Sequence, residues 1–597
     1  MTQTGTPSYR PLKIYAFDPT RGRKLNNYTT LKVRCENVRP GPVGDYIAVI
    51  DYDASNKKYY APADLDSPEV LIGGGLDPSE SDPRFHQQMV YAVIMETIRR
   101  FEAALGRKIR WTRDTGSKSD PYHGKLRVFP HGLQEANAFY DPKMRALVFG
   151  YFAAGTKDLT ANLPGQTVFT CLSHDIIVHE TTHALIDGLR EKFTTSTNPD
   201  VSAFHEAFAD IIALFQHFTY TEALLDVIHR TGGKLYAEEL NPDARPPDTN
   251  GSADGARIQA EVARQNPLIQ LALQFGDAMG MRSGLRCALG TRPDPSLLAT
   301  VTEPHARGSI LVAAVFDAFF SLYLQATRDL MRIARAGGAV APTGDLHPDL
   351  ANRLAGEASK IARRVCNICI RALDYCPPVD ITFGEFLRAI VTADSDLVPD
   401  DPAGYRSAFI EAFRARGIVP EDVASYSEDA LRWYAPITAE PIPPCKGLKL
   451  EMFGEVTPKQ QADNAIAIHT WAAKHRPALG LSHADPFQVH SFHPLHRVAP
   501  DGRICFDYVV ELLQQREEKL DPHAKESPTF TFWGGSTLIL DQYGKIRYSI
   551  LKRVDNQRRL ERERHFHQDY ELLSAFAPYL SGGTVERAGF REIHRGV

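Results

Sequence analysis

The stretch Val178-His179-Glu180-Thr181-Thr182-His183-Ala184-Leu185-Ile186-Asp187 decides how this sequence is interpreted. It carries the pattern His-Glu-x-x-His within an apolar run, which predicts a buried helix. Residues four apart lie on one face of a helix, so His179 and His183 can direct two imidazoles at one metal ion. Glu180 follows the first histidine, where its carboxylate can face a water molecule bound to that ion. The stretch therefore predicts a helix with two metal ligands and a general base.

A catalytic zinc ion needs a third protein ligand and an open coordination position. Glu206 lies downstream in a second helical pattern, and Asp210 lies one turn later on the same side. One carboxylate can bind the ion, and the other can accept the outer N–H of a ligand histidine and fix its tautomer. The apolar neighbours of Glu206 and Asp210 indicate that the pair is buried. Buried carboxylates need hydrogen-bond donors, opposite charges or a metal ion as partners. The alternatives are helix histidines with ordinary hydrogen bonds and a carboxylate pair on a solvated helix face.

These residues resemble the thermolysin-like zinc metallopeptidases, the gluzincin class. That family shares the pattern H-E-x-x-H-A-x-x-D of residues 179–187, followed by E-A-x-x-D at 206–210. Asn137-Ala138-Phe139-Tyr140 is similar to the family's substrate-binding edge strand. His305-Ala306-Arg307-Gly308-Ser309-Ile310 is similar to its segment carrying the histidine that steadies the oxyanion. The matches follow the family's chain order and lie between residues 85 and 420.

The resemblance implies an α+β fold with a two-lobed catalytic unit, in which a cleft separates a β-containing N-lobe from a helical C-lobe. It implies a hydrolase, a zinc metalloprotease that cleaves peptide or protein substrates. The cofactor would be one catalytic Zn²⁺. Whether calcium is bound as well is left open by the resemblance. The implied site residues are the zinc ligands His179, His183 and Glu206, the carboxylate Asp210 behind a ligand, the general base Glu180, the oxyanion donor His305, and Asn137 and Ala138 on the substrate.

Three positions depart from the family pattern. Thr197 stands where the family has a tyrosine that helps to bind the oxyanion, and His205 stands where it has an asparagine. The family's arginine upstream of the catalytic histidine has only Arg282 and Arg286 as candidates. The alternative function is therefore a zinc-containing, catalytically weak peptide-binding or scaffolding protein that keeps the fold.

The composition of the chain argues against several other classes of protein. The chain has 597 residues, 43% of them hydrophobic and 24% charged, which is typical of a globular protein. A net charge of −5 argues against a nucleic-acid partner held by bulk charge. The start lacks an apolar signal segment, and Asp317 interrupts the longest apolar run, 310–324, so we expect no membrane span. Eight cysteines are too few for a disulfide scaffold. We expect a cytoplasmic protein, with signal-independent export as the alternative.

The hydrophobic pattern divides the chain into four parts. Residues 1–80 are predicted to be a β-rich extension, 81–195 the peptidase N-lobe that ends in the His-Glu-x-x-His helix, and 196–425 the helical C-lobe. A Pro-rich linker precedes an accessory α+β domain at 446–597, which is a candidate site for a protein partner. The longest predicted helices cover 171–191, 201–219, 256–279, 306–335 and 352–372.

Four other features are predicted to be structural. Cys366, Cys369 and Cys376 lie in one helical segment without a second cysteine pair, which favours buried thiols. His490, His493 and His496 surround a proline, and residues three apart in a strand face opposite sides, so a second metal site is not favoured. Residues 558–564 mix arginine and glutamate, as on a solvated helix face. His174 lies off the ligand face and is expected to be a surface or packing residue.

Overall fold

A computed structural model describes residues 8–16, 19, 28–112, 118–154, 165–220, 224–225, 293–336, 347–449, 457–498, 502, 504–569 and 590–593. Helices and strands are mixed, as the α+β class requires. The helix predicted at 256–279 and the candidate arginines at 282 and 286 lie outside the described residues.

The described strands before residue 170 form three sheets. Strand β1 (Tyr9–Tyr15) pairs antiparallel with β2 (Tyr28–Arg34), and β4 (Tyr52–Asp53) pairs with β5 (Lys58–Tyr59). The third sheet has the order β3-β6-β8-β7, with β9 also paired to β8. Its strands are β3 (Ile47–Val49), β6 (Leu126–Leu133), β7 (Ala138–Asp141), β8 (Ala146–Ala153) and β9 (Thr167–Phe169). Because β3 pairs with β6, the first 80 residues and the segment after them share one sheet.

Helices make up most of the middle of the chain. They are α1 (Pro68–Gly73), α2 (Pro83–Leu105), α3 (His174–Leu189), α4 (Pro199–Phe218), α5 (Leu297–Thr300), α6 (Pro304–Ala336), α7 (Pro348–Ala372), α8 (Phe383–Leu397), α9 (Tyr405–Ala415), α10 (Glu428–Leu431), α11 (Pro458–Lys474), α12 (Gln557–Gln568) and α13 (Phe590–Ile593). Short 3₁₀ helices lie at Thr170–Leu172, Glu191–Thr194, Leu373–Tyr375 and Arg476–Leu479. The helices predicted at 171–191, 201–219, 306–335 and 352–372 correspond to α3, α4, α6 and α7.

The C-terminal part contains a four-stranded antiparallel sheet. Its strands follow chain order: β10 (Phe487–Val498), β11 (Ile504–Lys519), β12 (Thr529–Asp541) and β13 (Ile546–Lys552). The sequence shows two strand-like runs inside β12, separated by two glycines, but the strand is continuous. Gly535 permits this continuity because glycine has no Cβ. A Cβ at this position would lie only 2.0 Å from the carbonyl oxygen of Leu512 on the neighbouring strand.

Both faces of this sheet are buried. Val509, Ile539 and Ile550 belong to the main core, together with the helices of the middle segment. Val510 and Leu538 belong to a second core that includes Ile468 and Trp471 of α11. Successive strand residues point to opposite faces, so one sheet separates the two cores. The C-terminal part is thus packed against the rest of the chain.

Helix α12 corrects the expectation of a solvated face at 558–564. Arg559 and Glu563 are buried. Arg559 and Arg562 both donate to the carboxylate of Asp380, which lies just before α8. Alternating charges predict a solvated helix face unless the face meets a buried residue of opposite charge. Here Asp380 is that residue, and nothing in the sequence of α12 indicates the contact.

Helix α6 is the one described helix that is long and apolar enough, by length and composition, to cross a membrane. Of its most apolar window, 67% is buried inside the fold. The core helix of a soluble protein passes the same test, so α6 is weak evidence for a span.

Candidate metal centre

Helix α3 carries the two histidines of the His-Glu-x-x-His pattern. Ser173 caps its N-terminus by accepting a hydrogen bond from the backbone N–H of Ile176. His179 and His183 are both buried, and their Nε2 atoms lie 2.9 Å apart. The helix spacing of four residues brings the two nitrogens to one point.

Helix α4 supplies the carboxylate. Asn198 caps it and Pro199 occupies its first turn, a common helix start. Oε2 of Glu206 lies 3.4 Å from His179 Nε2 and 3.6 Å from His183 Nε2. The three side chains each offer a ligand atom within 4.8 Å of the others, and all three are buried. Two imidazole nitrogens and a carboxylate oxygen are a donor set that suits zinc.

Two further side chains of α4 orient the histidines. Asp210 Oδ1 lies 2.8 Å from His179 Nδ1, and His205 Nδ1 lies 2.7 Å from His183 Nδ1. Burial lowers the pKa of His205 to about 4, so this ring is neutral and its Nδ1 can accept a hydrogen bond from His183. Metal binding requires each histidine to hold a proton on Nδ1 and to present an unprotonated Nε2, and these two partners permit that arrangement.

The surroundings of His179 favour positive charge. Burial lowers its pKa, but the hydrogen bonds to Asp210 and Glu206 outweigh burial and raise it to about 9. A divalent cation at the common point would satisfy the same negative surroundings. The donor set and its electrostatics therefore fit a divalent metal ion.

Glu180 and His305 lie near the three potential ligands. Glu180 is buried and follows the first ligand directly on α3. His305 lies in the first turn of α6, and its Nδ1 is 3.1 Å from Oε1 of Glu303. Its Nε2 lies 3.6 Å from Glu206 Oε2. The structure thus brings His305 to the three potential ligands across a large sequence separation.

Asn137 and Ala138 lie at the start of β7, the end strand of its sheet. The side chain of Asn137 donates a hydrogen bond of 3.0 Å to the backbone oxygen of Arg591. Tyr140, on the same strand, donates a hydrogen bond of 2.8 Å to Asp187 of α3. This contact fixes the strand relative to the helix that carries the histidines.

Sequence reasoning missed two parts of the site. The family pattern marks His205 only as a departure, whereas its ring contacts His183. The segment Phe590–Ile593 has no motif that connects it with the histidines, yet Phe590 lies beside His183 and Arg591 contacts Asn137. Thr197 also has a role of its own: it is buried, and its hydroxyl donates a hydrogen bond of 2.8 Å to Asp380.

Two other buried groups in the described chain contain potential ligands: His86, His131 and Cys171, and His174, Asp175 and His217. Hydrogen bonds account for much of their geometry. His131 lies 2.8 Å from His86 and 2.7 Å from Asp51, and His174 lies 3.1 Å from both Asp175 and Tyr220. His174 is buried, so it is not a surface residue. His490, His493 and His496 belong to none of the groups found in the described chain.

No protein-family model matches this chain. No curated protein matches it either.

Proposed function

We propose that this protein is a zinc-dependent metalloendopeptidase with a thermolysin-like two-lobed catalytic unit. The observation that carries the proposal is the convergence of His179, His183 and Glu206 from two helices into one buried group. Catalytic zinc sites use such a set of three protein ligands and keep a further position open. Asp210 and His205 would hold the two imidazoles in the tautomer that the ion requires.

The chain's own residues supply the rest of the chemistry. Bound zinc would act as a Lewis acid and lower the pKa of its water to about 7. Glu180 would accept a proton from the attacking water and return it to the leaving amine. His305 would donate a hydrogen bond to the negative charge that develops on the substrate carbonyl oxygen. One such donor is typically worth about 3 kcal/mol of transition-state stabilisation.

The edge strand β7 would bind the substrate. Asn137 would hold a peptide carbonyl with its side chain, and Ala138 would pair with the peptide through its backbone. The substrates would be peptides or proteins, and a cytoplasmic location without nucleic-acid partners belongs to the same proposal. Residues 446–597 would bind a protein partner.

One observation favours a second function. Thr197 stands where the family has its oxyanion tyrosine, and its hydroxyl is engaged with Asp380. His305 would then be the main side-chain donor to the oxyanion. Fewer donors to the oxyanion would stabilise the transition state less. The second candidate is therefore a zinc-containing peptide-binding or scaffolding protein with little turnover.

The test compares four purified proteins: the wild type, Glu180→Gln, Glu206→Ala and the control Glu411→Gln, which changes a side chain 65% exposed. Zinc content and cleavage of a peptide library are measured on the same samples. We expect one zinc per wild-type and control chain, retained zinc but lost cleavage in Glu180→Gln, and loss of both in Glu206→Ala. Full zinc binding without cleavage by the wild type would favour the second candidate, and absence of zinc binding would refute both.

A further inference from the structure

The C-terminal segment lies against the strand that the peptidase proposal assigns to substrate. Helix α13 (Phe590–Ile593) packs on β7. One edge of β7 pairs with β8, and α13 contacts the side chains of Asn137 and Tyr140 on the strand that a substrate peptide would join.

The ring of Phe590 fills a pocket beside the potential zinc ligands. Its centre lies 4.5 Å from the ring centre of His183, 5.0 Å from that of His205 and 6.0 Å from that of Tyr140. Phe590 is only 1% exposed. Aromatic rings at these separations attract each other in addition to burying apolar area. The pocket therefore suits an aromatic side chain.

Arg591 is held through both its backbone and its side chain. Its carbonyl oxygen accepts the hydrogen bond from the Asn137 side chain, a contact that any residue can make. Its guanidinium lies 3.6 Å from Glu135 and over the ring of Phe139, and the side chain is 53% exposed. The segment thus combines a backbone contact that is independent of sequence with one buried anchor, as bound peptides do.

We propose that the cleft has a subsite for an aromatic side chain, lined by Tyr140, His183 and His205, and that Phe590 of the same chain fills it in the resting protein. This inference rests on the proposed function, because it takes the cleft to be a substrate site. Peptides with an aromatic residue followed by a basic residue are the matching ligands. The C-terminal segment competes with them.

The test measures binding rather than cleavage. A fluorescent peptide with the sequence of residues 587–597 is titrated into zinc-loaded full-length proteins and followed by anisotropy. A segment that occupies the cleft nine-tenths of the time raises the apparent Kd of a competing peptide about tenfold. We therefore expect Phe590→Ala to bind the peptide about tenfold more tightly than the wild type does. The same peptide with alanine at the phenylalanine position should bind Phe590→Ala at least about tenfold more weakly, since the pocket contacts are lost.

Two further variants separate competition from misfolding. Arg591→Glu changes an exposed side chain and places a negative charge opposite Glu135. This variant should hold the C-terminal segment less tightly in the cleft, and it should therefore bind the free peptide more tightly than the wild type does. Tyr543→Ala removes an aromatic residue that is 75% exposed and should bind the peptide as the wild type does. Equal affinity of wild type, Phe590→Ala and Arg591→Glu would overturn the proposal, as would absence of binding to all of them. Tighter binding by the two variants without cleavage by any protein would leave the subsite intact and refute only the peptidase function.

Discussion

Asp380 connects the helix that carries Glu206 with the C-terminal sheet and helix. Its carboxylate is 2% exposed and accepts hydrogen bonds of 2.8 Å from Thr197 and 2.6 Å from Asn198, the cap of α4. On the other side it accepts hydrogen bonds of 2.8 Å from Arg559 and 2.9 Å from Arg562. One carboxylate therefore holds together segments far apart in the chain.

The substitution Asp380→Asn removes this charge with little change of shape. Asparagine also tolerates the left-handed backbone at this position, where φ is 55°, so the effect reports the charge. Lys552 and Arg559 are only 5% and 6% exposed and would lose a buried partner. Removing one member of a buried ionic group costs about 3–5 kcal/mol. With an unfolding entropy of about 2.1 cal/mol/K per residue, a chain of 597 residues shifts by roughly 0.8 °C per kcal/mol, so the melting temperature should fall by about 2–4 °C.

Thermal unfolding at pH 7 measures this loss, with Asp555→Asn as the matched control. Asp555 forms its ion pair with Arg553 at the surface, where both side chains are more than 40% exposed. Such a pair contributes at most about 1 kcal/mol, so the control should melt within about 1 °C of the wild type. If Asp380→Asn also melts within that range, the buried network does not stabilise the fold as argued.

The pH dependence provides a second check. Burial raises the pKa of Asp380, but Lys552, Arg559 and Arg562 outweigh burial and hold it well below the usual value. The unfolded chain therefore takes up the proton first, and the stabilisation is fully present above the unfolded pKa of about 4. The gap in stability between wild type and Asp380→Asn should shrink as the pH falls below that value. A gap that widens on acidification would contradict the assignment.

Three further outcomes follow from the structure. Asp210→Ala should weaken zinc binding about 10- to 100-fold in a chelator competition, because a ligand histidine loses its orienting carboxylate; unchanged affinity would remove Asp210 from the site. Gly188→Ala should destabilise by about 1–3 kcal/mol, because the new Cβ would lie 2.2 Å from the backbone oxygen of Arg110, whereas Gly356→Ala on α7 meets open space and should not destabilise. Cys366 is buried with its pKa raised to about 11, so thiol reagents at pH 8 should label it, by mass spectrometry, only after unfolding; rapid labelling of the native protein would show that it is accessible.

The helices that carry the site were predictable because they have strong local signals. The apolar run around His179 and His183 predicted a buried helix, and α3 is one. The spacing of Glu206 and Asp210 predicted that both face one side of α4, and both contact His179. Zinc, peptidase activity and the two-lobed architecture remain predictions.

Other contacts lacked any sequence signal. Asp380 meets Arg559 across 179 residues, and Asn137 meets Arg591 across 454. The alternating charges of α12 even indicated solvent exposure. Nothing in a local window distinguishes a charged helix face that meets water from one that meets a buried carboxylate.

By itself the sequence determined which side chains share a helix face. Backbone hydrogen bonds hold residues i and i+4 at a fixed spacing, so His179 and His183 must lie together wherever that helix packs. Only the tertiary structure decided that Glu206 and His305 reach the same point and that Phe590 lies beside it. Those positions depend on how whole helices and strands pack into a common core, and packing is set by many side chains at once, far apart in the chain.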